Sequence, residues 1–237
     1  MFKKIIVMIF IFSTILVAKY EKSHINSIGV EFVLIPAGFY KKNKTEKMFI
    51  KKPFYISKYE ITQMQWDKVM DEFPSKNVVK YIQKPVENVD WYDVKDFIKE
   101  LNELEQTKRY RLPREKEWEY IIVTYQRTLE NRESLKKSAW FWDNGAYRTQ
   151  IIGTKKPNAL GMYDMLGNVF EWCEDWYQKS GILKEHNTTK EIKKRYKVIR
   201  GGSFKTTYDE MNTTKRFFEN PSTNRSDIGF RLVIELD

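Results

Sequence analysis

The chain has 237 residues, enough to bury the core of one domain. Aromatic residues at 15% and charged residues at 31% exclude a disordered chain and fit a globular one. The single Cys excludes an intrachain disulfide; the +10 formal charge could suit nucleic acid or an anionic surface, but its cations are scattered among acids, so no nucleic-acid partner is expected.

The first residues, MFKKIIVMIFIFSTILVAKY, set Lys3 and Lys4 ahead of an apolar run from Ile5 to Val17. The run is short for a membrane span and has the order of a secretory signal peptide, with Ala18 as the small residue before cleavage. Leu16 suits the position three before the new start poorly, so retention as an anchor stays open. No Cys follows the run, which argues against a lipid anchor. The expectation is an exported chain, periplasmic or secreted: signal peptide 1–18, linker 19–27, and one domain 28–237 with no membrane span after cleavage. Loss of Lys3 and Lys4 takes the formal charge from +10 to +8.

Glu31 to Ile35 is an apolar run closed by Pro36, Ala37 and Gly38, which predicts a strand into a turn. Lys41 to Lys52 is dense in charge and predicts a loop, and Phe54 to Tyr59 predicts a second strand. Thr62 and Gln65 make a capping-box pair, followed by Trp66, Val69, Met70 and Phe73 on one helical face up to Pro74. Asp90 is placed to cap a second helix with Val94, Phe97, Ile98, Leu101 and Leu104 along one side. Leu112-Pro113 opens a third, carrying Trp118, Ile121, Ile122 and Tyr125. These helices read as packing elements. Beyond Ser138 no long period persists; Lys197 to Arg200 and Phe230 to Ile234 predict short strands, and the Lys-rich 182–196 a surface excursion.

The stretch 158–177, NALGMYDMLGNVFEWCEDWY, gathers Trp172, Trp176, the one Cys and four acids around Gly167-Asn168. Gly-Asn invites positive φ, so the chain should turn sharply between Asp164 and Glu171. Carboxylates pressed among aromatics need a partner, and a hard cation held by oxygens is one. A solvated acidic turn beside a Trp cluster is the plainer alternative.

This stretch resembles the central motif of the formylglycine-generating enzyme, or sulfatase-modifying-factor, family. Six other blocks agree in order: IGVEFVLIPAGFY (28–40), FYISKYEITQMQW (54–66), PVENVDWYD (85–93), YRLPREKEWEY (110–120), VIRGGSF (198–204) and IGFRLV (228–233). The resemblance implies an α+β fold related to C-type lectins, with much irregular chain. The family usually has Thr or Ser where this chain has Arg114, so an N-cap worth roughly 0.5–2 kcal/mol is lost and Glu117 lacks its capping-box partner.

The family's oxidases resemble this chain up to Arg200–Ser203, then place one Cys three residues after that Ser and another five beyond. Two thiolates suit Cu(I), which activates oxygen to turn a substrate cysteine into formylglycine. Here those positions are Thr206 and Met211, so copper and the oxidase mechanism are not expected. Arg200, Ser203, Thr206 and Met211 would line the family's groove. Cys173, flanked by acids, reads as a buried small hydrophobe. His24 and His186 are too few for a three-His iron site, and a triad of Ser203 and His186 lacks a nucleophile-elbow motif. The resemblance makes Asp164 and Glu171 side-chain ligands of a structural calcium, with main-chain carbonyls from Gly167 and Val169; a second family calcium site falls in a shortened segment, 140–158. The functional expectation is an exported member without oxidase activity that binds a peptide, glycan or partner protein. The alternative is an oxidoreductase acting on protein or small-molecule substrates by an atypical mechanism.

Overall fold

The computed structural model describes residues 20–42, 46–70, 83–126, 131–178 and 195–237. The expected leader, Phe73, and most of 182–196 lie outside these residues. In chain order the strands are β1 (Ser23–Ile25), β2 (Glu31–Ile35), β3 (Gly38–Lys41), β4 (Lys47–Ile50) and β5 (Phe54–Ser57). Helices α1 (Gln63–Met70) and α2 (Trp91–Leu104), strand β6 (Tyr110–Arg111), and helices α3 (Glu115–Tyr125) and α4 (Arg132–Ser138) follow. The chain closes with β7 (Phe170–Trp176), β8 (Lys197–Arg200), β9 (Phe217–Glu219), β10 (Ile228–Gly229) and β11 (Val233–Glu235).

One antiparallel sheet has the order β1-β2-β5-β11-β6, so the last strand closes on the first third of the chain. A second sheet, β10-β7-β8-β9, carries the 158–177 motif on its central strand β7, and β3–β4 form a separate hairpin. The mixed helix and sheet make this an α+β fold. Three readings shift. Ser23–Ile25 pairs with β2 inside the stretch read as a linker. Within the stretch read as a loop, Lys47–Ile50 is a strand paired with β3, because Met48 and Ile50 turn inward while Lys47 and Phe49 face out. Leu104 is 56% exposed, since the last turn of α2 runs past the core.

The helix caps follow the sequence. Thr62 Oγ1 accepts from Gln65 N at 3.2 Å while Gln65 Oε1 accepts from Thr62 N at 3.0 Å. Asp90 Oδ1 accepts from Tyr92 N and Asp93 N. At α3 Arg114 carries no acceptor, and only half the box forms: Glu117 Oε2 accepts from Arg114 N at 2.8 Å. Asp175, reaching over from β7, accepts from Glu115 N at 2.6 Å and supplies the capping oxygen that position 114 lacks. Helices α1 and α2 meet the sheets through Trp66 stacked on Phe97 at 5.1 Å with Phe230 edge-on to both, a trio worth about 0.5–1.5 kcal/mol per pair beyond burial. Trp118, Ile121 and Ile122 of α3 fill a second core cluster with Cys173 and Val198.

Candidate functional site

The turn of the central motif forms as its residues demand. Asp164, Gly167 and Asn168 have φ of 53°, 79° and 56°, and a Cβ at Gly167 would run into the Trp140 carbonyl. This fold-back buries three carboxylates, Glu60, Asp164 and Glu171, around Arg231. Both Glu171 oxygens accept from the Arg231 guanidinium, at 2.6 and 2.7 Å, and Oε2 also accepts from Trp118 Nε1 at 2.8 Å. Arg231 donates further to the carbonyls of Ser57 and Tyr163. Glu60 accepts from Asn168 Nδ2 at 2.6 Å and Val169 N at 3.1 Å, tying β5's end to the turn.

One guanidinium does not balance three carboxylates. Burial pushes the Asp164 carboxyl up to about 6, against a lowering hydrogen bond from Gly153 N and the charge of Arg231. Burial raises Glu60 well above the carboxylate range, with Asp164 and Glu171 adding to the rise. Asp164 Oδ2 accepts from Gly153 N at 2.7 Å, whereas Oδ1 is buried without a partner. That orphaned oxygen suits a cation. The Glu171 carboxylate is already engaged by Arg231 and Trp118. Among the described residues no three or more His, Cys, Asp or Glu gather where they could hold a metal.

The expected groove residues sit differently. Arg200 and Ser203 are fully buried and Thr206 nearly so, so these three do not line an open groove. Arg200 stacks on Trp118, pairs with Glu115 at 3.3 Å and Glu119 at 3.7 Å, and donates to the Thr213 carbonyl. Ser203 Oγ donates to Asp227 Oδ2 at 2.9 Å, and Arg225 holds that carboxylate with two further hydrogen bonds. His24 lies on β1 against Phe32 and Tyr55, away from Ser203, and His186 is outside the described residues. Thr206 and Met211 do come together. A Cβ on Gly202, which has φ +79°, would lie 2.8 Å from Met211 Sδ and 3.3 Å from Thr206 Oγ1. Cys173 is buried, and burial followed by the charges of Glu115 and Asp175 pushes its thiol well up.

The sequence reading passed over one accessible feature beside this loop. Trp142, whose main-chain N–H donates to the Thr206 carbonyl at 3.1 Å, is 46% exposed and meets the 68% exposed Tyr147 edge-on at 4.8 Å. Ala146 and Tyr147 both hold positive φ, at 49° and 55°, without being glycine. Such strain is held by surrounding structure and recurs at functional sites. The sequence signal was the WFWDNGAY run, dense in aromatics ahead of an Asn-Gly turn.

A family model for the sulfatase-modifying factor enzyme 1-like domain matches residues 19–236. The chain belongs to that family. It is 31% identical over 207 residues to the chaperone protein LppX of Paenibacillus barcinonensis, covering 64% of this chain and 73% of that one. It is 25% identical over 177 residues to a formylglycine-generating enzyme of Streptomyces coelicolor, covering 65% of this chain and 53% of that enzyme. The fold is similar to Treponema denticola variable protein 1, with a TM-score of 0.76, 24% identity, and coverage of 92% of this chain and all of the other. Family membership accounts for the α+β architecture and for the motif order, while the chain spans 53% of the enzyme's length.

Proposed function

We propose that this family member works by binding and not by oxidising cysteine. The observation that carries the reading is the meeting of Thr206 and Met211 over Gly202. The resemblance gives those two positions to copper thiolates, and here they hold a hydroxyl and a thioether. The remaining thiol, Cys173, is buried in another motif. Trp142 and Tyr147 beside that loop offer a rigid aromatic surface to a partner. Likeness to a protein named a chaperone favours a polypeptide as that partner over a glycan.

Export of the chain is part of the proposal and rests on its leader-like start; among the described residues no helix is long and apolar enough to cross a membrane. So is a structural calcium, held by Asp164 Oδ1 with the carbonyls of Gly167 and Val169 and with Glu171, whose carboxylate Arg231 also engages. Thermal melts with and without chelator test the ion: a lower melting temperature in chelator is expected, and identical melts would remove calcium from the account. The test of the function is incubation with Cu(I), oxygen, a thiol reductant and a peptide carrying the sulfatase cysteine motif. No aldehyde should form beside an active family enzyme. Aldehyde at catalytic turnover would favour an atypical oxidoreductase instead.

A further inference from the structure

The β3–β4 hairpin has two unlike faces. Its register pairs Phe39 with Phe49 and Lys41 with Lys47 on one side, and Tyr40 with Met48 and Gly38 with Ile50 on the other. The second side packs on α3, where Tyr40 donates to Glu119 at 2.7 Å and Gly38 lies against the Tyr120 ring. The first faces outward. Phe39 and Phe49 are 55% and 59% exposed, side by side with ring centroids 6.0 Å apart, and Lys47 lies over the Phe39 ring at 5.5 Å. Lys51 follows just past the end of β4, and among the described residues Lys41, Lys47 and Lys51 make no ion pair with an acid. Across residues 38–52 there are six Lys, no Arg and one Glu, Glu46, which sits at the hairpin tip near Lys42.

We propose that this outer face is a docking surface for an anionic phospholipid bilayer, with Phe39 and Phe49 entering the interface and Lys41, Lys47 and Lys51 resting on headgroup phosphates. A cross-strand Phe pair can steady a hairpin, but steadying it does not call for a border so rich in lysine. Exposed aromatics ringed by flexible cations match a bilayer whose surface is negative and whose interior is apolar. Among the described residues of the hairpin there is no arginine fork or side-chain amide with which to read bases, which disfavours nucleic acid. The proposal stands apart from the binding function at Trp142 and Tyr147.

Co-sedimentation of the full chain with vesicles of phosphatidylcholine, with and without about one-third phosphatidylglycerol, tests it. An apolar leader, where retained, contributes to both vesicles, so the lysine-dependent difference between them is the readout. Wild type should prefer the anionic vesicles and lose that preference in high salt. At roughly fivefold per lysine, the triple variant Lys41→Gln, Lys47→Gln, Lys51→Gln should lose about a hundredfold of it. Phe39→Ser with Phe49→Ser should weaken binding to both compositions, with melting curves confirming that each variant is folded. Equal binding to the two vesicles, variants that bind like wild type, or tighter binding to a single-stranded oligonucleotide than to anionic vesicles would each overturn the proposal.

Discussion

Arg200 and Arg231 are both fully buried, and Trp118 joins them: its ring lies under Arg200 while its N–H meets the carboxylate that Arg231 holds. Their surroundings differ in charge. Arg200 and Arg216 face Glu115 and Glu119, two cations against two anions, with Asp175 beside them held by the first N–H of α3. Arg231 stands alone against Glu60, Asp164 and Glu171, with the half-buried Lys155 giving partial relief. The balanced network still leaves one buried donor, Arg200 Nε, without a partner, and burial raises the Asp175 carboxyl beside it. The unbalanced one raises the carboxyls of Glu60 and Asp164 and leaves an acceptor, Asp164 Oδ1, without a partner, so it is the place where a proton or an added cation changes stability.

The largest effect should come from removing the lone cation. Arg231→Met leaves Glu171 charged and unpaired in the core, so a loss of about 3–5 kcal/mol or outright failure to fold is expected in denaturant melts. Arg200→Met should do less, about 2 kcal/mol, because Arg216 still pairs with Glu115 through two bonds of 2.6 Å and Tyr40 still donates to Glu119. Equal losses in the two variants would break the contrast between balanced and unbalanced networks.

Asp164→Asn should act in the opposite direction. The folded pKa of Asp164 lies above its ordinary value, so the folded state keeps the proton longer than the unfolded chain. The stabilisation is therefore complete below about pH 4 and is lost as pH rises to about 6. In chelator, to keep metal out, Asn should raise stability near pH 7 by up to about 3 kcal/mol and change little at pH 4. Unfolding curves at the two pH values check this, and a loss at both would contradict the surplus-charge account. The smallest effect concerns Cys173: its buried, protonated thiol should resist alkylation in the native state and react only in denaturant.

Much of this was legible in the sequence, for physical reasons that differ by region. The caps at Thr62–Gln65 and Asp90 are local chemistry and read directly, as did the turn at Gly167-Asn168. The β3–β4 hairpin was missed because its lysines mask a period of two only four residues long. Glu60 and Arg231 passed unmarked inside apolar blocks, although a charge flanked by such runs, as in FYISKYEIT and IGFRLV, signals a buried pair. Burial of Arg200, Ser203 and Thr206 depends on α3 and the 213–227 region folding over them, which no local pattern reports. Leu104 kept helical spacing but outran its neighbours.

Thr206 and Met211 meet at Gly202, in the positions that the resemblance gives to the copper thiolates. Cu(I) titration against a competing chelator, on wild type and on the double variant Thr206→Cys, Met211→Cys, tests this arrangement most directly. Wild type should take up no Cu(I) and the variant one ion per chain, because two thiolates would then face each other across Gly202. Tight Cu(I) binding by wild type, or none by a folded double variant, would contradict it.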